Sequence, residues 1–159
     1  MTLVSMPVAK THLRAVGDDE DADIELKLEA AEQSAVSYLN RAVYVDQDAL
    51  ESAVVAAPAL FSSARQAYDA ALSAGRQVED PFERTMALTA AAERFLEAST
   101  SSTMVHRGMV INSAIRAAIL LTLGHLYENR EDVVVGLSVA EMPLSAKALL
   151  RPHRVGVGL

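Results

Sequence analysis

Between Ile111 and Glu131 the chain reads I-N-S-A-I-R-A-A-I-L-L-T-L-G-H-L-Y-E-N-R-E. The helix this stretch predicts is apolar on most of its circumference and ends in a charged tip, Tyr127-Glu128-Asn129-Arg130-Glu131. A helix with so little polar surface has to be wrapped by other elements. In a chain of 159 residues the wrapping is a small helical bundle, with the tip emerging at its rim. The expected fold class is therefore all-α, a small helical bundle.

A chain of this length is most naturally one domain, 1–159, and buries about 70% of the surface its unfolded form exposes. It has no cysteine, which removes disulfides and thiolate metal sites from consideration and agrees with a reducing cytoplasm. Met1 to Ala9 is too short and too weakly apolar for a signal peptide, and Lys10 and Arg14 follow the apolar residues instead of leading them. The longest apolar run, Ala117 to Leu123, falls well short of the roughly 20 residues that span a bilayer. A soluble protein is expected. The net charge of -7 opposes tight non-specific binding of nucleic acid, while leaving room for a protein that surrounds DNA without gripping it. Aromatics are only 4% of residues and tryptophan is absent, so no platform for stacking bases is visible.

Along the chain, Ser5 followed by Met6-Pro7 reads as the start of a short helix to about Arg14, ended by Ala15-Val16-Gly17. The acidic run Asp18 to Asp23 precedes Ile24, Leu28, Ala31, Ala35, Tyr38, Leu39 and Ala42, whose spacing predicts a helix from near Asp21 to near Ala42. Acids at its start suit the positive end of the helix dipole. Val43-Tyr44-Val45 is a short β-like exit. From Asp46 to Thr103 the texture changes to Ala, Ser, Glu and Arg. Asp48 with Glu51, and Asp80 with Glu83 around Pro81, resemble capping boxes. We expect here an antiparallel helical hairpin inserted in the bundle over 46–103, with Pro58 kinking or splitting its first arm and Ser99 to Thr103 as a flexible return loop. The apolar helix then runs from about Met109 to Glu128. Val133 to Gly136 is a strand or an extended arm, and Met142-Pro143-Leu144 opens a last short helix through Leu150, halted by Pro152. Residues 151–159 are expected to be a flexible tail, extended like the other terminal arm.

Candidate chemistry is sparse. The acidic run Asp18 to Glu25 lacks the glycine and closing glutamate positions of a calcium loop, and helix capping explains it. His125 and Glu128 are similar to the carboxylate–histidine pairs of di-iron bundles, but in reversed order and in one copy, and a histidine at a helix C-terminus accounts for them. His12, His106 and His153 share no spacing, and no phosphate loop or nucleophile turn is present. We therefore expect no catalytic residue, no cofactor and no metal. The end of the chain differs. Leu149-Leu150-Arg151-Pro152-His153-Arg154 sets two large apolar residues beside basic ones on an acidic protein. Two readings stay open: the leucines cap the core, or the segment is a docking peptide for an acidic partner surface.

Three segments together resemble the phage head–tail connector family, the adaptors of long-tailed phages. They are T-H-L-R-A-V-G-D-D-E-D-A-D-I, G-H-L-Y-E-N-R-E and P-L-S-A-K-A-L-L-R-P-H-R-V. His12, Leu13, Arg14, Asp18, Asp19 and Asp21 carry the first element; His125, Tyr127, Glu128, Asn129, Arg130 and Glu131 the second; Leu149, Leu150, Pro152 and Arg154 the third. His153 stands where the family has tyrosine, and the 46–103 hairpin exceeds the family's ordinary connection. The resemblance implies a structural virion protein, assembled in the host cytoplasm, that forms a ring of about twelve copies beneath the portal protein. It implies a channel that double-stranded DNA passes without specific binding and a platform for the next neck or tail-completion protein. Leu149, Leu150, Arg151, Pro152, Arg154, Tyr127, Glu128 and Arg130 are the residues expected to touch the portal or a neighbouring subunit. Removing Leu149 to Leu159 is expected to leave a folded monomer that cannot dock. The rival readings are a bacterial helical-bundle interaction or regulatory module and a carboxylate-bridged metal enzyme.

Overall fold

The computed structural model describes residues 2–129 and 142–156, together with the backbone of 133–134 and 137–138. Helix dominates: α1 Met6–Leu13, α2 Asp21–Leu39, α3 Gln47–Gly75, α4 Pro81–His106, α5 Ser113–Glu128, α6 Leu144–Leu150 and a 3-10 turn Arg151–His153. The described strands are two residues each: β1 Val43–Tyr44, β2 Met109–Val110, β3 Val133–Val134 and β4 Leu137–Ser138. The all-α expectation holds. The chain divides into two compact units, Met1–Gln47 with Met109–Leu159, and Asp48–Gly108.

The first unit is built around α5. Asn112 caps it, its Oδ1 accepting the Ile115 backbone N–H at 2.9 Å. Ile115, Ala118, Ile119, Thr122 and Leu123 lie on one face and are buried against Ile24, Leu28, Ala31, Ala35 and Leu39 of α2, with Val4, Ala9, Ile111, Ala146 and Leu150 completing the core. α5 packs on α1, α2 and α6. The alanines matter because they let the helices approach closely enough for the larger residues to interlock. Thr122, buried on this face, donates its hydroxyl to the Ala118 carbonyl at 2.9 Å and so leaves nothing unsatisfied.

α2 ends three residues earlier than its apolar spacing predicts. Asn40 takes a left-handed conformation, φ 53°, and its N–H bonds back to the Val36 and Ser37 carbonyls. Asparagine tolerates that region better than most residues, so the helix stops there instead of running on to Ala42. The β-like exit that follows has a partner the sequence did not reveal. β1 pairs in parallel with β2, Val43 opposite Met109 and Tyr44 opposite Val110. Residues 109–112, expected as the first turn of α5, are thus extended. β3 and β4 form a short antiparallel pair where a strand or arm was expected.

The second unit is the helical hairpin. Phe95 of α4 stacks on Tyr68 with centroids 4.9 Å apart and meets Phe61 at 5.6 Å, both from α3. At the turn, Asp80 accepts the Glu83 N–H at 2.8 Å, and Arg84 Nε donates to the Val78 carbonyl at 2.8 Å. Pro58 lies inside α3 without splitting it. The expected loop at Ser99 to Thr103 is helical, and α4 continues to His106. The hydroxyls of Thr100 and Thr103 donate to the Leu96 and Ser99 carbonyls four residues back, a local bond that lets a Ser/Thr run stay in helix.

Candidate functional site

α2 and α5 run antiparallel, so each end of the bundle carries a different set of polar groups. At one end sit the N-terminus of α2 and the C-terminus of α5. Tyr127 donates its hydroxyl to the Glu20 carboxylate, and the Lys27 ammonium lies 5.4 Å from the Tyr127 ring centroid. Lys27 also pairs with Asp23 at 2.7 Å. Asn129 closes α5 by donating to the His125 carbonyl from both its backbone, at 3.1 Å, and its side chain, at 2.8 Å. A groove of about 570 Å³ opens here, with Leu26, Ala30 and Leu126 as its apolar part and Asp19, Glu20 and Asp23 as its acidic part. Glu128 is exposed beside it. Arg130 and Glu131 lie outside the described residues.

The acidic turn itself is tied to α1. Lys10 Nζ reaches Asp18 at 2.8 Å and Asp21 at 2.7 Å. The hydrogen bond to Asp18, then that to Asp21, holds the Lys10 ammonium above its usual value, and Lys10 in turn holds the Asp18 carboxyl below its own. Among the described residues no group of three or more His, Asp and Glu side chains is arranged to hold a metal ion. None of their helices is long and apolar enough to cross a membrane.

At the other end are the C-terminus of α2, the N-cap of α5 and the close of the chain. The two open readings of Leu149-Leu150 resolve by residue. Leu150 is fully buried and belongs to the core, so its side chain is not presented to a partner; Leu149 is half-buried against the same core. The segment expected to be a loose tail is fastened through residue 155. His153 Nε2 lies 3.3 Å from Asn112 Nδ2, the Arg154 guanidinium stacks 4.9 Å over the Tyr38 ring, and Val155 N–H donates to the Leu39 carbonyl at 3.0 Å. Asn40 Nδ2 closes the loop by donating to the Val155 carbonyl at 3.2 Å. Backbone groups left over at the left-handed end of α2 are thus satisfied by the tail. Arg151, Pro152 and Arg154 remain exposed, as does Leu144, which sequence reasoning passed over although it stands 82% accessible.

The residues expected to touch the portal or a neighbouring subunit lie at two ends of this unit. Tyr127 and Glu128 are at the acidic end, and Leu149, Arg151, Pro152 and Arg154 at the basic end, separated by the length of α5, about 24 Å at 1.5 Å per residue. A second residue was missed altogether. Glu32 is buried in α2 and its Oε1 accepts the backbone N–H groups of Leu3 and Val4, each at 2.8 Å. A charged residue on an otherwise apolar face was the available signal.

Residues 6–80 match the family described as Phage gp6-like head-tail connector protein. Over those residues the chain is similar to the phage head–tail connectors. The match spans α1, α2, β1, α3 and the turn beyond, so it runs past Asp46 and takes in the first arm of the hairpin. The first of the three resembling segments lies within it, while the segments around Tyr127 and Leu150 lie outside. No curated protein and no solved structure matches the chain significantly. The head–tail connectors are a structural family.

Proposed function

We propose that this protein is a structural virion component that docks as a ring of about twelve copies beneath the portal, extends the DNA channel and presents a platform to the next neck or tail-completion protein. The observation that carries the reading is the head–tail connector match over residues 6–80. The two-ended bundle supports it. A bridging subunit needs separate surfaces for separate partners, and here a basic end with Arg151 and Arg154 is divided by a stiff core from an acidic end with Asp19, Glu20 and Glu128.

In this reading the basic end docks on an acidic face of the portal, through Arg151, Pro152, Arg154 and the accessible side of Leu149. Tyr127 and Glu128, with Arg130 next in sequence, contact the neighbouring subunit. The net charge of -7 keeps the channel wall from holding phosphates as double-stranded DNA passes. The mechanism is assembly in the host cytoplasm, not turnover.

The test is mass spectrometry and immunolabelling of purified particles from the phage or prophage that encodes the chain. The protein is expected at the neck, and portal-bearing heads made without it are expected to accept no tail. Particles that lack it and still join tails would sink the proposal. An Arg151→Glu, Arg154→Glu double variant is expected to remain folded and to lose binding to portal-bearing heads.

A further inference from the structure

The α3–α4 hairpin has more apolar surface than one pair of helices can cover. In α4, Leu88, Ala91, Phe95 and Ala98 share the face that packs on α3. On the opposite face Phe82, Met86 and Leu96, separated by four and then ten residues, fall on one helix side and stay 75, 57 and 66% exposed. Glu93 lies within that ridge, between Met86 and Leu96, and Glu97 beside it. The seam between the two helices is the complement. It contains two clefts, of about 260 and 210 Å³, lined chiefly by alanine and serine. Leu60 and Ala67 of α3 line one each, as do Ser101 and Arg94 of α4. Each pair is seven residues apart, two helical turns, so the clefts follow one another along one side of the hairpin as a groove. Arg94 is its only charged lining residue among those described.

We propose that the hairpin associates head to tail with the hairpin of a second copy, the Phe82–Met86–Leu96 ridge of one seated in the Ala67–Ser101 groove of the next. Large side chains enter a groove whose lining is more than half alanine and serine, with Phe61, Tyr68 and Phe95 as its aromatic part, the general manner in which helices interlock. Glu93 and Glu97 on the ridge meet Arg94 in the groove, which fixes the partner as another copy of this chain and sets the direction of the contact. Ridge and groove are different surfaces of the same hairpin, so the interface is heterologous and repeats from copy to copy until the rotation closes. This inference rests on the ring reading above and supplies a surface for it. Its ridge and Arg94 lie beyond the residues of the family match.

The experiment is sedimentation of the concentrated full-length chain and of two variants altered only at exposed positions. Met86→Asp with Leu96→Asp places charge on the ridge, and Ala67→Trp with Ser101→Trp fills the groove; circular dichroism checks that each keeps its helix content. Wild type is expected to form oligomers and each variant alone to sediment as a monomer. An equimolar mixture is expected to give dimers, because each mixed pair retains one intact ridge and one intact groove. Arg94→Glu is expected to weaken association about tenfold, with recovery when it is mixed with a Glu93→Arg, Glu97→Arg chain. A monomeric wild type, variants that associate unchanged, or a mixture that stays monomeric would each overturn the proposal. If the chain binds portal-bearing heads while the mixture stays monomeric, the hairpin surface is wrong and the connector role survives. If mixed dimers form but the chain is absent from virions, the reverse holds.

Discussion

Asn112 and His153 meet across 41 residues of sequence, Asn112 Nδ2 lying 3.3 Å from His153 Nε2. The orientation of the asparagine is not free, because its Oδ1 is already committed to the Ile115 N–H as the cap of α5. Its amide N–H therefore points at the imidazole, and Nε2 accepts. One side chain thus starts the central helix and anchors the end of the chain.

Asn112→Ala should cost about 0.5–2 kcal/mol for the lost cap, and should also release the tail. Urea unfolding gives the first quantity, and hydrogen exchange at the Val155 amide, bonded to the Leu39 carbonyl, reports the second. His153→Ala is expected to speed exchange at Val155 while leaving α5 intact. Equal protection in all three proteins would mean that the anchor is the Arg154–Tyr38 stack and not this pair.

Glu32 offers a separate test. Its carboxylate holds Leu3 and Val4 at the start of the chain, and Val4 is itself part of the core. Glu32→Ala leaves two backbone donors without their acceptor and is expected to destabilise by about 1–3 kcal/mol. Glu32→Gln keeps an oxygen in reach and should cost less. If the two variants unfold at the same urea concentration, the carboxylate is not the acceptor that matters.

Leu150 and Arg151 are adjacent in sequence and opposite in consequence. Leu150→Ala should lower stability by about 2–5 kcal/mol, since the side chain is fully buried. Arg151→Ala, exposed, should stay within about 0.5 kcal/mol of wild type. For the same reason, deletion of Leu149 to Leu159 no longer isolates docking from folding: it removes a core residue and the Val155 bonds together, and a large fall in thermal midpoint is expected.

The Lys10–Asp18 pair gives a pH dependence with a definite sign. Asp18 is held below its ordinary value of 3.8 by Lys10, so its contribution is present above that value and disappears as pH falls through the lowered one. Lys10 is held above 10.5, so its contribution is complete below that value and is lost as pH rises through the raised one. Asp18→Asn should therefore be less stable than wild type at neutral pH and indistinguishable from it in strong acid. Both side chains are near solvent, so the difference should also shrink at about 1 M salt, where the screening length is about 3 Å. A difference that persisted in acid or in salt would assign it to some other contact.

Much of this fold was legible because it follows from local rules. The apolar face of α5, the proline at the start of α4, the Asp80 cap and the short closing helix each depend on residues within a few positions of one another. The acidic run was legible as a helix start for the same reason. The failures came where the deciding contact is distant or where composition misleads. Ser99 to Thr103 looked like a loop because Ser and Thr favour turns, yet the Thr100 and Thr103 hydroxyls found carbonyls one turn back.

The sequence by itself determined that the chain would be helical and would wrap a central apolar rod, since spacing and caps are written in neighbouring residues. It also pointed to the connector family. Only the tertiary structure decided that β1 and β2 pair, that Glu32 holds the first residues, and that the tail folds back from Arg151 to Val155. It likewise divided the expected partner residues between two ends of the bundle. Each of these depends on which groups from distant stretches arrive side by side once the core has closed, and a buried donor or acceptor takes the partner that packing places within reach.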